Sequence, residues 1–370
     1  MKNIILTIDH ILDEVIMKMK DKVLSLFIKP IKFVFNKNPE YAMNGICNEL
    51  NSHDYFVSYR LRPLKPETMI PIINKLCCSS TKIAIVMQGP ISHEDNFTLE
   101  TVKYYKKMYP DICIILSTWD DELEASILEF KKLDVIIVQT KKPDYSGVLN
   151  VNFQIVSTLA GINKAEELNA KYVIKTRTDQ RVCKPYVFYS LCKMLEYFTP
   201  VNTNLMNRRI LTLSTYIHNM FTPYFLCDFF YVGDIVDLKK FFSCNLDKRK
   251  PFVISQVKRR EYSRTMYPPE IYLTKSYLKN YLGRECTDTV KEYWESVKEF
   301  FICVGRDEIG LFTRKYDYSC MDHINGSEYS VEDNMKTKKM MNFDFWMWFN
   351  LYSGNLKYKE EYEKETDVIF

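Results

Sequence analysis

Four short apolar runs separated by helical stretches constrain the architecture of residues 83–175 more than any other feature of the sequence. Ile83–Met87, Ile112–Leu116, Val135–Val138 and Tyr172–Lys175 have the length and content of buried strands. Helical character occupies Thr98–Met108, Asp121–Lys132 and Val151–Leu168 between them. This alternation over short connections implies parallel strands joined by right-handed crossovers, with ligand-binding groups gathered at the strands' C-terminal ends. Those ends read Gln88-Gly89-Pro90, Ser117 to Asp121, Thr140 to Asp144, and Thr178-Asp179-Gln180-Arg181. Beyond Pro185 the rhythm loosens into a helix near Val187–Phe198, a strand near Ile210–Ser214 and an apolar stretch Tyr224–Val232 broken by Cys227-Asp228. The expected fold is α/β, a mixed sheet with a Rossmann-like first half, flanking helices and irregular additions.

Upstream, Ile4, Ile5, Ile8, Ile11, Leu12, Val15, Ile16 and Met19 fall at helical spacing and predict an amphipathic N-terminal helix. Lys20, Lys22, Lys29 and Lys32 follow among apolar residues, a pattern that suits an anionic membrane surface and equally suits packing on the chain's own domain. Asp9, Asp13 and Glu14 interrupt the apolar run before it reaches signal-peptide or bilayer-spanning length, so the expectation is a cytoplasmic protein, with peripheral contact on the cytoplasmic face of the membrane as the variant. Pro39, Pro63, Pro66 and Pro71 mark Asn36–Ser80 as a connecting region. The organisation expected is therefore residues 1–80 as helix and connector, then 81–370 as a catalytic domain with a donor half (81–185) and an acceptor half (186–370).

Several function classes drop out on composition. With 51 basic against 47 acidic residues the net charge is +4, too slight for wholesale nucleic-acid binding. The 11 cysteines show no zinc-site spacing and read as reduced, buried thiols. Glycine is scarce, 10 of 370 residues, and neither common Gly-rich phosphate cradle is present. A bound nucleotide has to be held another way.

An acidic side chain at a strand's C-terminal edge can hold a divalent cation, and the cation a diphosphate. Asp179 is the candidate metal ligand, for Mn2+ or Mg2+. Arg177 and Arg181 flank it at two-residue spacing and suit a phosphate through forked hydrogen bonds; a surface ion-pair cluster would carry the same residues. Asn150, Asn152 and Gln154 sit near a helix N-terminus, where they could orient a sugar or diphosphate or simply cap the helix. Asp228 interrupts an aromatic run, and Glu270 follows Tyr267-Pro268-Pro269. Either could deprotonate an acceptor hydroxyl, though an acid after proline at a helix start is also common. Lys248, Arg249, Lys250, Lys258, Arg259, Arg260 and Arg264 could receive an anionic acceptor or form a solvated loop. His93, His218 and His323 read as structural.

The ordered set Ile-Ala-Ile-Val-Met-Gln-Gly-Pro-Ile (83–91), Asn-Phe-Thr-Leu-Glu-Thr (96–101), Ile-Leu-Ser-Thr-Trp (115–119), Asn-Phe-Gln-Ile-Val-Ser-Thr (152–158), Lys-Thr-Arg-Thr-Asp-Gln-Arg (175–181) and Tyr-Pro-Pro-Glu-Ile-Tyr-Leu (267–273) resembles the WavE family of lipopolysaccharide-synthesis proteins. The resemblance implies a glycosyltransferase-A-like fold and a role in building cell-surface polysaccharide. The expected function is a glycosyltransferase that moves a sugar from a nucleotide-sugar donor to a saccharide or lipid-linked saccharide acceptor. Its rivals are transfer of a sugar phosphate or another nucleotide-dependent transfer, and a non-catalytic membrane-surface scaffold. Gln88, Gly89, Pro90, Asn96, Asp120, Asp121, Asn152, Gln154, Arg177 and Arg181 are the expected donor-binding residues, with Glu270 and Asp228 catalytic. Enzymes of that fold usually carry Asp-x-Asp where this chain has only Asp179 before Gln180-Arg181, so Arg177 or Arg181 neutralising the diphosphate without a cation is the alternative.

Overall fold

A computed structural model describes residues 35–50, 59, 82–214, 220–250, 267–314 and 342–369. The chain divides into two compact units, residues 1–63 and 64–370. The N-terminal amphipathic helix expected at Ile4–Met19 lies outside the described residues.

In the first unit, helix α1 (Pro39–Leu50) occupies part of what was expected to be connector. Its start explains the discrepancy. Asn38 accepts a hydrogen bond from Tyr41 N (3.0 Å) through its side chain, and proline in the first turn lacks only an N–H that no helix position could satisfy. Tyr59 then donates to Asn44 Oδ1 (3.0 Å) and to the Glu40 carbonyl (3.2 Å).

The second unit is built on a seven-stranded sheet of order β3-β2-β1-β4-β7-β6-β8. Its strands are β1 (Ile83–Gln88), β2 (Cys113–Trp119), β3 (Ile136–Thr140), β4 (Tyr172–Arg177), β6 (Ile210–Ser214), β7 (Tyr231–Asp234) and β8 (Phe301–Gly305). The first four are mutually parallel; β7 runs antiparallel to β4 and β6, and β8 is parallel to β6. A two-stranded antiparallel sheet, β5 (Gln180–Val182) with β9 (Leu311–Thr313), adjoins the end of β4. The helices are α2 (Phe97–Met108), α3 (Glu124–Lys132), α4 (Val151–Glu167), α5 (Val187–Tyr197), α6 (Ile235–Phe242), α7 (Pro269–Leu282), α8 (Val290–Phe300), α9 (Arg306–Ile309), α10 (Phe345–Ser353) and α11 (Tyr362–Ile369).

The alternation expected between residues 83 and 175 is thus present, with shifted ends. β2 runs on to Trp119, so Ser117 and Thr118 are buried strand residues and not loop. A strand covered on both faces tolerates polar side chains that find partners, and Ser117 Oγ donates to the Ser157 carbonyl of α4 (2.6 Å). Helix α4 lies close on β1: a Cβ built on Gly161 would meet Val86 Cγ1 at 2.4 Å. On the opposite face α2 and α5 interlock through Tyr109 and Phe188, stacked at 4.5 Å. The apolar stretch 224–232 is irregular until β7 begins at Tyr231. Strand order departs from β1 in both directions, to β2 and β3 on one side and to β4 on the other. This makes the β1/β4 boundary a topological switch point, where α/β sheets open a crevice for ligands.

Candidate functional site

At that boundary β1 and β4 end side by side, Gln88 in register with Arg177. The loop after β1 is tightly braced. Gly89 N donates to the Ser117 carbonyl (3.0 Å), Thr178 N to the Gln88 carbonyl (3.1 Å), and Thr178 Oγ1 to the Pro90 carbonyl (2.5 Å). Gly89 has φ +116°, which only glycine adopts readily, and a Cβ there would meet Thr178 Oγ1 at 3.1 Å. Glu122 closes the other side, accepting from Ile91 N (2.8 Å) and Thr118 Oγ1 (2.9 Å), with His93 Nε2 at 3.8 Å.

Alternation along β4 places Lys175 and Arg177 on the sheet face that α4 covers. Arg177 turns back on the chain and grips Asp179 through both ends of its fork, Nε to Oδ1 at 2.9 Å and Nη2 to Oδ2 at 2.7 Å, each side chain 18% exposed. The guanidinium lies over the Phe229 ring at 5.3 Å. The Asp179 carbonyl accepts from Arg314 N (2.8 Å), and the Arg314 side chain pairs with Glu94 and Asp95.

Lys175 is fully buried and donates to the carbonyls of Asp228 (2.6 Å) and Phe229 (3.4 Å). Burial, and to a lesser degree the neighbouring Arg177 charge, holds its ammonium well below the ordinary lysine range, while Asp228 and Asp179 oppose that shift. Gln154 Nε2 donates to the same Asp228 carbonyl (2.7 Å), so two side chains fix one turn. Glu270, 9% exposed in the first turn of α7, has its carboxyl pushed up to about 7 by burial, against the opposing pull of a backbone hydrogen bond and of Arg177. Lys175, Arg177, Asp179, Asp228 and Glu270 therefore form one electrostatically connected cluster, with carboxylates and cations within mutual influence.

The remaining expected residues separate by what they hold. Gln88 is buried and accepts from Ser157 Oγ (2.8 Å). Arg181 turns to the other face, donating to Thr101 Oγ1 (3.0 Å) beside the Phe97 ring (4.8 Å), and so supports α2. Asn152 ties two loops, donating to the Tyr145 (3.0 Å) and Asp247 (2.8 Å) carbonyls and accepting from Asp247 N (2.6 Å). Asn96 and Asn150 are exposed left-handed residues preceding α2 and α4, and neither makes a side-chain cap. Asp120 is exposed, and Asp121 pairs with Lys142 at 2.5 Å. Of the basic segment, Arg249 forks onto Asp247 (2.8 and 3.0 Å); Lys258, Arg259, Arg260 and Arg264 lie outside the described residues, as do His218 and His323.

Lys175 went unrecognised in the sequence, although a lysine inside a strand otherwise apolar to its fourth residue was its signal. Asp247, whose carboxylate takes Val148 N (3.0 Å) as well as Arg249, had none. For a divalent cation the donor set is a poor fit. Both oxygens of Asp179 are taken by Arg177, and among the described residues no group of three or more His, Cys, Asp or Glu could hold a metal ion. No helix among the described residues is long and apolar enough to cross a membrane.

A mixed sheet with parallel β3-β2-β1-β4, a switch point beside β1, and an acid and an arginine at the fourth strand's end define an α/β protein with a Rossmann-like first half. The chain belongs to the WavE lipopolysaccharide-synthesis family, whose profile matches residues 83–367. No curated protein matches it. Among solved structures it is similar to a cytidylyltransferase from Leptospira borgpetersenii serovar Hardjo-bovis (13% identity, 68% of this chain and 96% of that one, TM-score 0.31). It is also similar to 4-diphosphocytidyl-2C-methyl-D-erythritol synthase from Anaerococcus prevotii (13%, 54% and 100%, TM-score 0.32). A third is a putative glucose-1-phosphate thymidylyltransferase from Bacillus anthracis (10%, 54% and 84%, TM-score 0.30).

Proposed function

We propose that the protein is a glycosyltransferase that moves a sugar from a nucleotide-sugar donor to a growing saccharide or lipid-linked saccharide of the cell surface. One observation carries the reading: the β1/β4 switch point brings a forked arginine and a carboxyl shifted to about 7 into the same cluster. Family membership in lipopolysaccharide synthesis supports it. The reaction needs positive charge where a diphosphate departs and a base where an acceptor hydroxyl attacks.

In this reading the acceptor oxygen forms its bond to the anomeric carbon while the bond from that carbon to the donor phosphate breaks. The electron pair leaves with the nucleoside diphosphate, and Glu270 takes the acceptor's proton. Direct displacement inverts the anomeric centre. Asp228, its carbonyl fixed by Lys175 and Gln154, lines the acceptor side with Phe229. A cation, were one used, would have to displace Arg177 from Asp179.

The test is a thermal-shift screen of UDP-, GDP-, CMP- and dTDP-sugars, followed by product analysis with the stabilising donor. Release of nucleoside diphosphate (monophosphate from a CMP-sugar) with a sugar on the acceptor is the expected result. Nucleoside monophosphate released from a diphosphate donor would replace sugar transfer by sugar-phosphate transfer. A chain stabilised by no donor would lose the transferase reading.

A further inference from the structure

We infer that Arg177 itself supplies the positive charge that receives the donor's diphosphate, and that Asp179 is the residue that positions Arg177 and not a metal ligand. The inference rests on the transferase reading above. Three contacts, each from a different part of the chain, fix this side-chain pair. The fork to Asp179 employs Nε and Nη2, two of the groups through which a guanidinium also grips phosphate, and sets the plane of the whole group. The Phe229 ring at 5.3 Å supports one face. Asp179 is in turn anchored by Arg314 N at 2.8 Å, and Arg314 by Glu94 and Asp95. A cation at Asp179 would need carboxylate oxygens that are already accepting charge-assisted bonds, and it would sit against a fixed positive charge. A guanidinium has more N–H donors than the fork uses, so an anion can share it with Asp179. Its oxygens would bind the same guanidinium, and the pair, at 18% exposure on each side, is within reach of solvent.

The assignment makes the binding of diphosphate independent of divalent cations. Full-length protein would be titrated calorimetrically with UDP, GDP, CDP and dTDP, in manganese and in EDTA, and the same titrations repeated on Arg177→Ala, Arg177→Lys and Asp179→Asn, with circular dichroism to confirm folding. The expected outcome is an affinity of wild type indifferent to chelator and weakened roughly tenfold or more in Arg177→Ala. Arg177→Lys, which keeps the charge without the fork, falls between, and Asp179→Asn weakens binding less than Arg177→Ala, equally in both buffers. Binding abolished by EDTA would overturn the inference and leave the transferase reading standing. So would chelator-indifferent binding that survives Arg177→Ala. If no nucleoside diphosphate bound in either buffer, the transferase reading would fall first and take this inference with it. The chelator comparison on wild type needs no variant to fold.

Discussion

Glu270→Gln removes the ionisation of a carboxyl that burial pushes up to about 7 from an ordinary value of 4.5. Below the ordinary value both folded and unfolded chains hold the proton, and the shift has no effect on stability. Between the two values the unfolded chain releases its proton while the folded one keeps it. The native state then binds more protons, so stability falls as pH rises and levels off above about 7. A displacement of roughly 2.5 pH units at 1.36 kcal/mol each amounts to about 3 kcal/mol. Glutamine has nearly the same shape and cannot ionise, so the variant keeps that free energy. It is expected to match wild type at acid pH and to exceed it by up to about 3 kcal/mol at and above neutrality. Urea denaturation of both proteins at intervals from about pH 4.5 to about pH 8 reads the difference directly. In sugar-transfer assays the same substitution is expected to lower kcat by about 100-fold or more, and the wild-type rate should climb through about pH 7 as the carboxyl ionises. Stability curves that stay parallel across the window would refute the buried, shifted carboxyl. A gain in stability without loss of turnover would leave the carboxyl buried and remove it from the base role.

Lys175→Met deletes the donor to the Asp228 and Phe229 carbonyls. Because the ammonium is held below its ordinary 10.5, the unfolded chain binds the extra proton over the window beneath that value, and wild-type stability rises with pH there. The variant should lose that rise in a pH series of melts, and its kcat should fall as the 228–229 turn loosens. Gly89→Ala should destabilise by about 1–3 kcal/mol, since φ +116° and the 3.1 Å approach to Thr178 both oppose a Cβ; thermal melting checks it. Asp247→Ala leaves Val148 N and Arg249 without their acceptor. Although burial opposes it, the Arg249 fork and the backbone N–H bonds hold this carboxyl below its usual 3.8, so the stability it contributes is present above that pH and fades as pH falls through the lowered value. The variant lacks that contribution at every pH, so its acid denaturation should begin at higher pH than that of wild type, the two curves converging at the acid end.

How much of this was legible in sequence follows from how local each determinant is. The four strands of 83–177 announce themselves because β1, β2 and β4, buried on both faces, are mostly apolar, as is the half-buried edge strand β3, and the crossover helices separate them cleanly. Strand ends are harder. Ser117 and Thr118 look like loop, yet they are paired inside β2, Ser117 with the Ser157 carbonyl and Thr118 with Glu122. Helix α1 was hidden by Pro39, which in fact opens it, and by Pro63, Pro66 and Pro71, which follow its end. Among the site residues, Asp179 could be placed at the end of the fourth strand, but its occupation by Arg177 is a matter of side-chain direction. Arg181, of identical type and at the mirror spacing, turns to the opposite face because β5 leaves the main sheet. Gln154 and Asn152 carried helix-start character, but what they bind lies 74 and 95 residues away, and no local pattern reports a partner at that distance.

Those long-range bonds also join the two halves of the domain, residues 81–185 and 186–370. Lys175 on β4 and Gln154 on α4 both belong to residues 81–185, and both hold the Asp228 carbonyl, which belongs to the second half. Phe229, next in sequence, underlies Arg177 of the first half. The strand that begins two residues later, β7, lies antiparallel against β4 with Tyr231 opposite Lys175. Pairing of β7 with β4 therefore holds Asp228 and Phe229 of the second half against Lys175 and Arg177 of the first. A substitution that weakens the β4–β7 pairing should for this reason impair donor charge neutralisation and acceptor activation together, where one confined to Arg177 or to Glu270 impairs only one of them.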